Sequence, residues 1–211
     1  MKEYHKINSV YKRDEKTHKF LDELSNPEVA CIYAWIGEEK IDGTNIRVNY
    51  NPETKKVIFG GRTDNAQLPT GLLTYLQETF TPEKFEKMGV TKETTLYGEG
   101  VGEKIQGDSI KYLPKGQKFG FILFDVTIND FQLDIAQVTE FAVSIGVTRA
   151  PVMIVGSLAE MEKMVKTGFL SKLGADNKKM SEGLVIKTPV PIYNRYGKRI
   201  ITKLKYADFH K

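Results

Sequence analysis

The segment Glu39-Lys40-Ile41-Asp42-Gly43-Thr44-Asn45 carries the residue types best suited to covalent chemistry in this chain. A lysine becomes a nucleophile when it gives up its proton, and desolvation or nearby cations favour that by lowering its pKa. The neutral amine then attacks phosphorus or a carbonyl carbon. The preceding apolar run, Cys31-Ile32-Tyr33-Ala34-Trp35-Ile36, reads as a buried strand. Alternate side chains of a strand share a face, so Lys40 and Asp42 are expected to point the same way. Gly43 lets the backbone turn there or approach a ligand closely. A Lys-x-Asp-Gly tetrapeptide also recurs by chance as a surface lysine beside a turn, so the rest of the chain has to decide.

Further charged residues stand beside glycines or bends in strand-like stretches: Arg62, Glu99, Glu182, Lys203 and Lys205. Lys203 and Lys205 share a face of the last predicted strand. Two ammonium groups roughly 7 Å apart on one face repel unless both are solvated or an anion lies between them. One reading is a solubilising edge strand. The other is a phosphate clamp, in which Lys40, Lys203 and Lys205 neutralise a triphosphate and depress the pKa of Lys40.

The elements that must position these groups follow from pattern and punctuation. Short strands are expected at Tyr4-His5-Lys6-Ile7 and Val10-Tyr11, with a turn at Asn26-Pro27. Ile46 to Tyr50 alternates as a half-buried strand, and a hairpin turn at Asn51-Pro52-Glu53-Thr54 returns it through Lys56 to Gly60. Leu72, Leu73, Leu76 and Phe80 have helical spacing, which predicts a helix over 66–79, and Pro82 starts another. Strands are expected at 95–100, 118–126, 152–156, 181–187 and 199–206. Asp134 caps a helix that Gly146 stops, and Ser157 with Glu160 has capping-box spacing. Many hairpin-joined strands with about four helices make an α+β fold of antiparallel sheets.

At 211 residues the chain can bury a substantial core. A net charge of +4 permits a nucleic-acid partner without demanding one. The single cysteine, Cys31, excludes an internal disulfide and is expected to be a core thiol in a reducing, cytoplasmic compartment. With a charged N-terminus no signal peptide is expected, and no apolar run reaches the roughly 20 residues that span a bilayer. His5, His18 and His210 lie near the chain ends and do not suggest a zinc site.

Six blocks then occur in order: Lys40-Ile41-Asp42-Gly43, Gly61-Arg62-Thr63, Tyr97-Gly98-Glu99, Phe121-Ile122-Leu123-Phe124-Asp125, Glu182-Gly183-Leu184-Val185-Ile186-Lys187 and Lys203-Leu204-Lys205. Together they resemble the nucleotidyltransferase motifs of covalent ligases and capping enzymes, over about residues 38 to 207. Asn45 stands where DNA ligases and capping enzymes usually carry arginine. Gly98-Glu99-Gly100-Val101-Gly102-Glu103-Lys104-Ile105-Gln106 and Lys203-Leu204-Lys205-Tyr206-Ala207-Asp208-Phe209 are similar to segments of phage-type (type-2) RNA ligases. The resemblance implies a nucleotidyltransferase (ATP-grasp-like) ligase fold. Six residues follow Lys205, so the OB-fold or helical domain that the resemblance places there in relatives is not expected in this chain. The expectation is one adenylation domain over 1–211, a monomer, with a separate protein able to supply further RNA binding.

The same resemblance implies roles. Lys40 attacks the α-phosphorus of ATP to form lysyl-AMP. Glu99 accepts a ribose hydroxyl, Phe124 stacks on adenine, and Arg62 holds a phosphate or ribose. Glu38 or Glu39 reads the adenine amino group, and alternation does not say which. Ile41 lines the nucleotide site. Asn45 contacts the nucleotide or an incoming 5′-phosphate, Lys203 and Lys205 grip the α-phosphate, and Asp125 is expected to fold its strand end by accepting backbone N–H groups. Glu182, helped by Asp42, places Mg²⁺ or Mn²⁺, which suit oxygen ligands. The expected partners are RNA ends, a 5′-phosphate and a 3′-OH, nicked or single-stranded, and no membrane. A capping-type guanylyltransferase, a minimal DNA ligase and a non-catalytic module binding nucleic-acid ends remain as alternatives.

Overall fold

The computed structural model describes residues 1–174 and 178–210. In chain order the strands are β1 (Asn8–Ser9), β2 (Tyr11–Arg13), β3 (Phe20–Leu24), β4 (Trp35–Glu39), β5 (Thr44–Asn51), β6 (Lys56–Gly60), β7 (Thr94–Gly102), β8 (Phe119–Ile128), β9 (Phe131–Gln132), β10 (Thr148–Arg149), β11 (Val152–Gly156), β12 (Gly183–Lys187) and β13 (Ile201–Lys205). The α-helices are α1 (Thr70–Thr79), α2 (Pro82–Lys87), α3 (Ile135–Ile145) and α4 (Leu158–Thr167). The fold is α+β as expected, with antiparallel pairing except β1 on β13 and β10 on β8. Among the described residues no helix is long and apolar enough to cross a membrane. The chain divides into two compact units.

The larger unit comprises Met1–His5, Ile41–Ala150 and Leu173–Asp176. Its sheet runs β10-β8-β7-β5-β6, with β9 on β8. In β5, Ile46, Val48 and Tyr50 join a core with Leu72 and Leu76 of α1, Phe85 of α2 and Val138 of α3. Each such side chain contributes about 1.5–3 kcal/mol by leaving water. The alternation predicts a half-buried strand, yet Arg47 is 0 % and Asn49 4 % exposed. The second face of β5 is polar but enclosed: Asn49 donates to Glu93 and Thr95, and Arg47 to Gly61 O and Asp64. The hairpin turn forms as expected, Asn51 Oδ1 accepting the N–H groups of Glu53 and Thr54. Helix α1 starts at Thr70, later than the apolar spacing suggests. Pro69 precedes it in extended geometry, and the residue before a proline is steered away from helix. Helix α3 has a complete capping box of Asp134 and Gln137 and ends on Gly146 at φ +77°.

The smaller unit comprises Lys6–Lys40, Pro151–Lys172 and Asn177–Lys211. Its sheet runs β1-β13-β12-β4-β11, and β2 and β3 pair separately. The strand expected at 31–36 forms later, as β4. Asn26 caps a short 3-10 helix, Pro27–Cys31, that uses up the first part of the run. Cys31 is exposed and Tyr33 is 90 % exposed, so the core-thiol expectation is wrong. Pairing near the N-terminus likewise begins at Asn8, not Tyr4. Register aligns Leu204, Leu184 and Glu39 across the sheet, and beside them Lys203, Val185 and Glu38. One face, with Trp35, Leu184, Ile186 and Leu204, packs on Met161 and Val165 of α4. By alternation the other face carries Glu38, Lys187, Lys203 and Lys205. The capping box of α4, Ser157 with Glu160, is formed as its spacing implies.

Candidate active site

Strand β4 ends at Glu39, so no strand sets the relation between Lys40 and Asp42, and the expected shared strand face does not exist. Backbone bonds hold Lys40 instead: its N–H donates to Gly183 O and that of Glu39 to Pro151 O, both at 2.9 Å. Gly183 has φ +148°, and a Cβ there would stand 2.0 Å from Leu204 O. Glycine thus lets β12 begin against β13 directly after Glu182. Lys40 Nζ donates to Glu182 Oε2 at 2.5 Å, and Lys205 Nζ to Glu182 Oε1 at 2.5 Å. One half-buried carboxylate bridges two ammonium groups. Burial pushes the Glu182 carboxyl up, but the charges and hydrogen bonds of Lys40 and Lys205 outweigh it and hold it below the usual carboxylate range. The sequence reading surrounds Lys40 with cations; in the structure its charged partner is this carboxylate, and Lys203 shares the sheet face with Lys205.

The two glutamates before Lys40 separate by face. Glu38 pairs with Lys187 at 2.5 Å, both 1 % exposed. Val185 lies opposite Glu38, so Lys187 is its diagonal cross-strand neighbour. Glu39 takes the line of Leu184 and Leu204, where burial pushes its carboxyl up, against hydrogen bonds from Ser171 and the Lys172 N–H. Its Oε2 accepts that N–H at 3.1 Å, while Oε1 is buried with no hydrogen-bond partner among the described residues. Of the two, Glu38 is committed to Lys187 by its ion pair, which leaves Glu39 as the candidate acceptor.

In the larger unit, Ile41 packs with Val101, Tyr112 and Ile122. The Asp42 N–H donates to the Tyr112 hydroxyl at 3.1 Å. A Cβ on Gly43 would stand 2.4 Å from Gly100 O and 2.9 Å from Glu99 Cγ, so this glycine admits β7 rather than a ligand. Asn45 lies directly opposite Glu99 in the β5–β7 register, and its Oδ1 is buried without a partner among the described residues. The β7–β8 pairing slips where Tyr97 faces Asp125 and Gly98 faces Leu123, leaving Phe124 as the extra residue of a bulge. The bulge brings Phe124 and Asp125 to one face. Tyr4 meets both there, its hydroxyl bonded to Asp125 and its ring edge-on to Phe124 at 5.1 Å. Asp125 was expected to close the strand end, but β8 continues to Ile128 and a tyrosine hydroxyl bonds the carboxylate. Asn45, Glu99 and Phe124 are thus assembled on one sheet face. Arg62 is exposed after β6, in a segment that buried Arg47 fastens at Gly61 and Asp64.

A family model for RNA ligase matches residues 34–205, which include every motif from Lys40 to Lys205. The chain belongs to the RNA ligase family. Comparison with curated proteins gives no match. Solved structures of Naegleria gruberi RNA ligase share the fold. An apo aspartate-to-alanine mutant gives a TM-score of 0.65 at 16 % identity, over 97 % of this chain and 60 % of that one. A lysine-to-alanine mutant with ATP and Mn gives 0.63 at 17 %, over 85 % and 52 %. The enzyme with PPi gives 0.60 at 18 %, over 82 % and 49 %. The chain therefore spans about half the length of these structures.

Among the described residues no three His, Cys, Asp or Glu side chains cluster as a metal cage. Mg²⁺ needs no cage, since it keeps several waters and takes one or two carboxylates plus phosphate oxygens. Glu182, a hard oxygen donor held anionic, fits such an ion. Arg47, Tyr112 and Tyr4, which the motif reading passes over, make contacts around its residues. An arginine inside an apolar strand was the available signal for Arg47. Tyr112 and Tyr4 act across 70 and 121 residues of sequence, and no local pattern marks them.

Proposed function

We infer that this chain is the adenylyltransferase part of an ATP-dependent RNA ligase, with Lys40 as nucleophile. The Lys40 nitrogen attacks the α-phosphorus of ATP, a P–N bond forms as the bond to pyrophosphate breaks, and lysyl-AMP results. AMP then passes to an RNA 5′-phosphate, and a 3′-OH displaces it to form the phosphodiester. The observation that carries this reading is the Lys40–Glu182–Lys205 bridge, in a chain whose family match spans all three. Attack requires the neutral amine, so Lys40 must part from Glu182, while Lys203 and Lys205 grip the α-phosphate. Mg²⁺ or Mn²⁺ held by Glu182, with Asp42 as a further carboxylate, would supply charge neutralisation of the phosphates. The relatives solved with ATP and Mn support the choice of nucleotide and metal.

The remaining roles follow the resemblance. Glu99 accepts a ribose hydroxyl, Phe124 stacks on adenine, Ile41 lines the nucleotide and Arg62 holds a phosphate or ribose. The ion pair of Glu38 with Lys187 supports Glu39 over Glu38 as acceptor of the adenine amino group. The buried amide of Asn45 contacts the nucleotide or the 5′-phosphate. We place the activity in the cytoplasm, where an exposed cysteine stays reduced. Labelled ATP and labelled GTP, offered separately with Mg²⁺, test the nucleotide: label from ATP alone supports the reading, and label from GTP alone favours a capping-type enzyme. Sealing assays on matched RNA and DNA ends test the polymer, and equal rates on both would contradict an RNA ligase.

A further inference from the structure

We propose that a basic cavity in the smaller unit binds the phosphodiester backbone of an RNA strand beside Lys203 and Lys205; this rests on the ligase reading above. The cavity has a volume of about 670 Å³, the size of a ligand site. Lys6, Lys12, Arg13, Lys203 and Lys205 line it, and Asp208 is the only acid among its lining residues. Asp208 is already held by Arg13 at 2.5 Å.

The parallel pairing of β1 on β13 builds this wall. Asn8 lies opposite Thr202 and Ser9 opposite Lys203, and the Val10 N–H donates to Lys203 O at 3.1 Å. Residues 8–10 therefore run along the strand that carries the two motif lysines, with Lys6 before them and Lys12 after. The turn after β2 is fixed by Asp14, which accepts the N–H groups of Lys16 and Thr17, and Arg13 donates to His18 O at 3.0 Å. Lys12 also reaches Glu23, but both are exposed, and a solvent-screened surface pair holds weakly enough to give way to a phosphate. The cations form a string rather than a point. At about 3.3 Å per residue, Lys6 and Lys12 stand up to roughly 20 Å apart along the chain, a spacing for successive phosphates of a strand. Five cations against one acid leave the cavity lining net positive even though Arg13 and Lys205 also hold carboxylates, and a polyanion offsets that charge.

The test uses the full chain and a Lys6→Ala, Lys12→Ala double variant. Both lysines are exposed and neither belongs to the adenylylation machinery proposed above. Binding of a short 5′-phosphorylated oligoribonucleotide is followed by fluorescence anisotropy over a salt series, and AMP uptake from ATP is measured alongside. The double variant is expected to bind the RNA about tenfold more weakly, with a log–log salt slope smaller by about 1.4, roughly 0.7 per phosphate contact on a single strand. AMP uptake should be unchanged. RNA binding and slope equal to wild type, with AMP uptake intact, would overturn the cavity and leave the ligase reading standing. A raised KM for ATP with unchanged RNA binding would assign the cavity to the triphosphate and also overturn the proposal. Absence of AMP uptake by the wild-type chain would sink the ligase reading, while the RNA-binding comparison would still decide the cavity.

Discussion

Lys40, Glu182 and Lys205 are joined through one carboxylate, so replacing any of them alters the surroundings of the other two. Lys205→Ala should lower the rate of AMP uptake at least about tenfold, since a charge-assisted contact is worth about 1.5–3 kcal/mol. Radiolabel transfer from ATP checks it, and an unchanged rate would leave Lys205 as no more than a structural partner of Glu182. Glu182→Gln leaves two ammonium groups without their anion and should destabilise the fold. The sign of its pH dependence follows from the direction of the shift. The native carboxyl lies below its ordinary value of 4.5, so its contribution is complete above that pH and is lost as pH falls through the native pKa. Denaturant titrations of both proteins should give a stability difference that is flat from neutral pH to about 5 and shrinks only below about 4.5. A difference that fades near pH 6 would mean the carboxylate is not held by the lysines. Each of these three residues was legible in the sequence as a charge beside a glycine or bend. Their bridge was not, because Glu182 stands 142 residues from Lys40 and only the order of β4, β12 and β13 brings them together.

At the scale of elements, the buried Glu38–Lys187 pair spans β4 and β12. Lys187→Ala leaves an uncompensated buried carboxylate and should cost about 3–5 kcal/mol, whereas replacing both partners by apolar residues of similar volume should cost far less. Chemical denaturation of the single and double variants measures this, and equal losses would contradict a buried pair. Gly43→Ala, which drives a Cβ into Gly100 O, should cost about 1–3 kcal/mol by overpacking. The Asp134 cap, the Ser157–Glu160 capping box and the Asn51 turn could be read directly, because their chemistry lies within three residues. The start of β4 could not, since the apolar letters of 31–34 resemble a strand and only the 3-10 turn opened by Pro27 displaces them. The enclosed polar face of β5 was equally hidden: alternation distinguishes two environments without saying that both are dry.

At the scale of the whole molecule, the order of six weak motifs carried more than any one of them, because the family match runs over the same span, 34–205. The division into two units was not legible, as it assigns Lys40 to one and Ile41 to the other within a single motif. The central claim is covalent AMP transfer to Lys40. Intact-mass spectrometry of the chain after incubation with ATP and Mg²⁺, followed by peptide mapping, tests it most directly. The account predicts an increment of one AMP, located on Lys40 and absent from a Lys40→Ala variant that still folds. No increment on the wild-type chain, or an AMP that persists on another lysine of the variant, would contradict it.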